Sequence, residues 1–154
     1  MDKQPQWRAI GQSVQGAAHV RMGLPNQDAI LWHPESGEGP PLILAVSDGH
    51  GSAKCFRSHI GARLATEAAV RMLRDLLAGQ PDPPNLSAIK RTAEERLPRE
   101  LVRWWREAVD AHLEQRPLSQ EELDTLEKRS DAKARPTVED NPVLAYGATI
   151  LSAL

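Results

Sequence analysis

The 154-residue sequence is 40% apolar and 26% charged, and its 19 basic and 21 acidic side chains leave a formal net charge of −2. This balance suits one globular domain or part of a larger one, argues against disorder throughout, and tells against a general nucleic-acid binder, which is usually basic. One cysteine, Cys55, excludes an internal disulfide framework; MDKQPQWRAI lacks the apolar core of a signal peptide and no apolar run is long enough to span a bilayer, so the expected location is cytoplasmic, with no membrane partner.

Residues 6–16 predict a strand, with Trp7, Ala9, Gly11, Ser13 and Gln15 on one face and Arg8, Ile10, Gln12 and Val14 on the other. A loop rich in turn residues follows, containing Gly23, Pro25, Asn26 and Asp28. Residues 29–32 predict a second short strand, and the polar stretch 33–41 reads as a hairpin connection. Residues 42–47, LILAVS, form a continuous apolar run, as expected of a strand buried on both faces. That run ends abruptly in Asp48-Gly49-His50-Gly51.

From about Ser52 to Ala78 the spacing becomes helical, with Ile60, Leu64, Ala68 and Met72 in one stripe and Gly79 and Pro81 as stop signals. Residues 80–85 read as a linker. A second helical stretch starts near Leu86, where Leu97, Leu101, Trp105, Val109 and Leu113 recur every four residues. Pro98 interrupts it, predicting two helices or one kinked helix. Ser119 and Glu122 have capping-box spacing and open a short charged helix to about Arg129. Residues 130–142 read as a loop and 144–154 as a final strand. Strands and helices are segregated rather than alternating, which favours an α+β layered fold.

The strongest chemical signal is LILAVSDGHGS, residues 42–52. A strand delivers Asp48 to its end, where a carboxylate can project into a cleft. His50 can donate or accept a proton or bind a metal. A carboxylate beside a free carbonyl suits a hard cation such as Mg²⁺ or Mn²⁺. Taken alone, the same four residues make an ordinary tight turn. Asp28, preceded by Asn26 and Gln27, gains weight if it shares a rim with Asp48, because two carboxylates at one site repel unless cations lie between them. Cys55 falls on a predicted helix and reads as a packing residue. Trp104-Trp105 reads as helix packing, with one ring toward the core stripe and the other elsewhere.

Three ordered blocks together resemble the metal-dependent protein phosphatases of the 2C type, or PPM family. They are Gly16-Ala-Ala-His19 through Gly23-Leu-Pro-Asn-Gln27-Asp28-Ala29, similar to the bacterial form of the first acidic motif; Ala45-Val-Ser-Asp48-Gly49-His50-Gly51, similar to the DGHG motif; and Tyr146-Gly147-Ala148-Thr149, similar to the G-x-T strand. The resemblance implies an α+β fold, a β-sandwich flanked by helices, with two Mn²⁺ or Mg²⁺ ions. By position, Asp48 would bridge the metals, Gly49 would offer its carbonyl and Asp28 would hold metal-bound water. His50 falls where the family's general acid lies, and Arg21 is the best candidate for its phosphate-binding arginine. The implied reaction is hydrolysis of phosphoserine or phosphothreonine by a metal-bridging water, on a phosphorylated protein substrate and with a serine/threonine kinase as an implied partner.

The pattern departs from the family in two places. Gln27 stands where many members have a metal-binding glutamate. The later Asp-Gly and Asp-Asn motifs, which supply further metal carboxylates, have no counterpart in the sequence. Residues 1–154 are therefore expected to be the N-terminal portion of such a domain, with a helical segment over about 52–129, weakly active or inactive by itself. The alternative is a non-catalytic pseudophosphatase or binding module of the same fold. The acidic run Glu121, Glu122, Asp124 and Glu127 reads as an exposed helical face rather than a replacement ligand set.

Overall fold

The computed structural model describes residues 7–81 and 84–154. Gln6 of the first predicted strand and residues 82–83 of the linker lie outside them. The fold is α+β. Three antiparallel strands, β1 (Ala29–His33), β2 (Ile43–Gly49) and β3 (Ala148–Ala153), form one sheet in the order β1-β2-β3. The helices are α1 (Ala17–Met22), α2 (Ser58–Ala78), α3 (Leu86–Glu95), α4 (Leu97–Gln115), α5 (Gln120–Arg129) and α6 (Ala134–Asp140). Short 3-10 turns occupy Ala53–Cys55 and Pro142–Tyr146.

The long helix α2 covers the sheet's inner face, and α4 packs against α2 from the other side. Ile43 and Ala45 of β2 meet Ala69, Met72 and Leu73 of α2 and Leu97 of α4 in one apolar cluster. A second cluster gathers Val109, Leu126, Val138, Ala145 and Tyr146 where the later helices converge. Each large apolar side chain fully buried this way, such as Ile43 or Val109, contributes about 1.5–3 kcal/mol relative to exposure. The two tryptophans divide between the clusters: Trp104 packs against the first, beneath the Arg71 guanidinium, and Trp105 against the second. Trp105 also donates its indole N–H to the Gly61 carbonyl at 3.0 Å.

Several boundaries follow local chemistry. Arg96 separates α3 from α4, and Pro98 lies in the first turn of α4, where a missing N–H removes no helical hydrogen bond. Ser119 and Glu122 form the expected capping box, with both reciprocal bonds present. Ser52 caps the 3-10 turn rather than the long helix, which begins six residues later, at Ser58.

Further expectations change. Residues 144–146, read as the start of the final strand, lie in the 3-10 turn Pro142–Tyr146, and β3 begins at Ala148. Residues 7–16 form no strand; they make a single bridge, Arg8 to Glu38, beside the β1–β2 connection. Ile10 is 98% exposed and Val14 70%, so the alternation there finds no layer to bury it. Residues 17–22, read as loop, form α1. Residues 134–140, also read as loop, form α6, pinned by Arg135 to Asp124 and Glu127 of α5 and to Glu139 of its own helix. Finally, β2 is buried on one face: Ile43, Ala45, Ser47 and Gly49 point inward and Leu44, Val46 and Asp48 outward. Among the described residues the helices cover one side of the sheet; on the outer side only residues 11–14 run beside Ile30 and Trp32 of β1, and the rest of that face is open.

Candidate active site

The β1–β2 ladder pairs Ala29 with Ser47, and β2–β3 pairs Asp48 with Thr149. Continuing the first register by one residue sets Asp28 opposite Asp48. The Gly49 N–H still donates to the Gln27 carbonyl at 3.2 Å, which holds that extension together. Directly opposed residues of this kind carry their Cβ atoms about 4.5–5.5 Å apart. Both aspartates are exposed, and they line one shallow cleft of about 540 Å³ on the open face of the sheet, with Thr149 beyond them.

Alternation explains which side chains reach that rim. Gln27 points inward, 7% exposed, and donates its amide to the Ser58 hydroxyl at 2.8 Å. Asp28, one residue later, points outward. The glutamine at the departing position is therefore part of the seam between β1 and α2. Gly49 is inward too, and there is no room for a larger residue: a Cβ would stand 2.6 Å from the Gln27 carbonyl oxygen and 3.0 Å from Ser58.

Neither aspartate carboxylate has a hydrogen-bond or ion-pair partner among the described residues. Two unpaired carboxylates in register repel each other, and a cation between them removes that repulsion. The donor set suits a hard ion that keeps much of its own water, as Mg²⁺ does when one or two carboxylates hold it. It is an open platform and not a cage: no group of three or more His, Cys, Asp and Glu side chains is placed to hold a metal among the described residues.

His50 is exposed just past the strand end. Its backbone N–H donates to the Gly147 carbonyl at 2.9 Å. Its ring lies against Gly147, where a Cβ would come within 2.8 Å of Nδ1 and 3.0 Å of the Cys55 sulfur. The first, second and third sequence blocks thus meet at one end of the sheet. Cys55 is buried, and burial pushes its thiol pKa up, with a backbone hydrogen bond from Gly147 and the Lys54 charge acting the other way. A thiol held protonated in this way is a packing group rather than a nucleophile. Arg21 is exposed on α1 and makes no ion pair with another described residue. The clefts that contain Asp28 do not include it.

A family model described as protein phosphatase 2C matches residues 15–154. The chain belongs to the protein phosphatase 2C family. No curated protein and no solved structure matches it.

In this phosphatase 2C chain the structure adds two features that the sequence did not signal. His59, at the start of α2, shares a second cleft with Asp28. Its Nδ1 is buried without a partner among the described residues. Burial lowers its pKa, and the nearby Arg57 and Arg63 charges lower it further, so it stays neutral near pH 7. The second feature is Arg57, 6% exposed. Its guanidinium donates to both Glu122 oxygens at 2.7 Å, to the Arg116 and Pro117 carbonyls at 2.6 and 2.9 Å, and to the Tyr146 hydroxyl at 2.7 Å. Its backbone N–H donates to the Ala145 carbonyl at 2.8 Å. One side chain therefore ties the segment after His50 to α5 and to the turn before β3.

Proposed function

We propose that the chain is a metal-dependent serine/threonine protein phosphatase that acts on phosphoserine and phosphothreonine in proteins. The observation that carries this reading is the pairing of Asp28 and Asp48, two outward carboxylates with no cationic partner among the described residues. Asp28 and Asp48 would hold Mn²⁺ or Mg²⁺, with the Gly49 carbonyl as a further oxygen. When bound, such an ion supplies neutralisation of phosphoryl charge and a water of lowered pKa. His50 gives a proton to the serine or threonine oxygen as its bond to phosphorus breaks, so that an alcohol leaves instead of an alkoxide. Arg21, exposed on α1 and outside the clefts that contain Asp28, would offer paired N–H donors to the phosphate. A kinase that phosphorylates the same proteins is the functional counterpart.

The charge balance also bears on rate. Two divalent ions would bring four positive charges to the two carboxylates of this rim, so weak metal binding and slow turnover are expected of these residues. Titration with Mn²⁺ by calorimetry, alongside hydrolysis of p-nitrophenyl phosphate, tests the reading. Asp48→Asn should abolish metal binding and hydrolysis together; a variant that keeps both removes the basis of the assignment. The same two-carboxylate rim favours a second reading, a non-catalytic binding module. Wild-type chain that binds Mn²⁺ and leaves the ester intact would support it.

A further inference from the structure

A separate cleft of about 450 Å³ opens beside the rim. One wall is the segment that leads into Asp28, with Leu24, Pro25 and Gln27. The facing wall is the segment that leaves His50, with Gly51 and Ser52, and Phe56 and Leu126 supply an apolar floor. Gln27 precedes Asp28 and Gly51 follows His50, so the walls of the cleft adjoin both residues along the chain, although neither Asp28 nor His50 lines it. The third wall is α5. Glu121, Thr125 and Arg129 recur there every four residues along one face, about 12 Å from first to last, and all three are exposed. Neither Glu121 nor Arg129 has an ion-pair partner among the described residues, unlike Glu122, Asp124 and Glu127 of the same helix.

We propose that this cleft binds the polypeptide flanking the phosphoresidue, seating an apolar side chain on Phe56 and Leu126 and reading flanking charge with Glu121 and Arg129. The proposal rests on the phosphatase reading and names the substrate subsite next to that reaction centre. Three observations carry it. Gly51 and Ser52, which follow His50, form one wall of the cleft, and the segment that leads into Asp28 forms another. Its floor is apolar while its rim holds two opposite charges at separate ends, the arrangement that orients a peptide rather than a small symmetric anion. Its walls are also fixed before binding: Glu122 lines it and is clamped by Arg57, which holds α5 against the segment after His50, so little ordering entropy is lost on docking.

The test uses two fluorescein-labelled phosphothreonine peptides, one flanked on both sides by Leu and Glu, the other by Leu and Lys. Their binding to the whole chain with Mn²⁺ is followed by anisotropy. Thr125→Trp, which fills the cleft, should weaken both peptides about fivefold or more. Arg129→Glu should weaken the acidic peptide and tighten the basic one by several-fold, and Glu121→Lys should do the reverse. Asp110→Lys, a charge reversal on the exposed side of α4, is the control and should change neither. Absence of peptide binding to the wild type, or equal affinities across the three cleft variants, overturns the proposal. Failure of the phosphatase reading shows separately, as Asp48→Asn protein that still binds Mn²⁺ and hydrolyses p-nitrophenyl phosphate.

Discussion

Arg57→Met should be among the most damaging single substitutions in this chain. The side chain is 8% exposed and its partner Glu122 is 31% exposed, so the pair is largely withdrawn from water. Methionine replaces much of the volume but none of the donors. It leaves the Glu122 carboxylate, the Arg116 and Pro117 carbonyls and the Tyr146 hydroxyl without the guanidinium that serves them. Removing one member of a buried pair costs about 3–5 kcal/mol, because the remaining charge stays desolvated. In a chain of this size each kcal/mol lowers Tm by about 2–4 °C, so a loss of roughly 10–15 °C is expected. Urea unfolding measures the free energy directly, with the midpoint falling by about 1–3 M. Arg57→Lys keeps the charge but not the fork and should fall between wild type and Arg57→Met. A loss below about 1 kcal/mol in Arg57→Met would refute the view that this guanidinium ties the segment after His50 to α5 and to the turn before β3, since an exposed ion pair contributes no more than that.

His50→Ala should slow hydrolysis of a phosphoserine peptide by about 10²–10⁴-fold, the usual contribution of a positioned proton donor. It should slow p-nitrophenyl phosphate far less, because nitrophenolate leaves without protonation; equal losses in the two assays would contradict the assigned role. Burial raises the Glu122 carboxyl pKa, but the hydrogen bonds and charge of Arg57, with Ser119, outweigh it and hold the carboxyl below the ordinary value near 4.5. A depressed folded-state pKa adds stability that is present above the unfolded value and is lost as pH falls through the folded one. Urea midpoints measured from pH 6 to pH 3 should therefore fall more steeply for wild type than for Glu122→Gln; parallel curves would remove the carboxylate from the account. Gly49→Ala forces a Cβ against the Gln27 carbonyl and the backbone of Ser58. Overpacking of this kind costs about 1–3 kcal/mol, and Mn²⁺ affinity should drop with it, as Asp28 immediately precedes β1 and Asp48 lies in β2 beside Gly49.

What the sequence revealed depends on the range of the forces involved. The capping box at Ser119 and Glu122, the break at Arg96 and Pro98, and the short strands 29–32 and 42–47 are set by neighbours a few residues away, and they were legible. The helices α1 and α6 were not. The last is held by Arg135 reaching across to α5, and a contact between separate elements leaves no local pattern. Residues 7–16 failed in the opposite direction: the alternation exists, but no layer covers Ile10 or Val14. Asp28, Asp48 and His50 could be singled out because turn glycines and an apolar run frame them. Arg57 could not, since its partners Glu122 and Tyr146 lie 65 and 89 residues further along the chain.

The placement of the acids follows from the same alternation that builds the core. Ile43, Ala45, Ser47 and Gly49 must face α2, so Leu44, Val46 and Asp48 must face away from it. The hairpin sets β1 in register, which turns Gln27 inward to Ser58 and Asp28 outward beside Asp48. A slip of one residue in β2 would reverse every member of the set. Asp48 would then be driven toward Ser58 and the base of α2, where an unpaired carboxylate is strongly disfavoured, and Ile43 would be expelled from the cluster it now fills. The penalty for burying that charge and the gain from burying that isoleucine select one register. In that register, and in no neighbouring one, the two carboxylates share an edge.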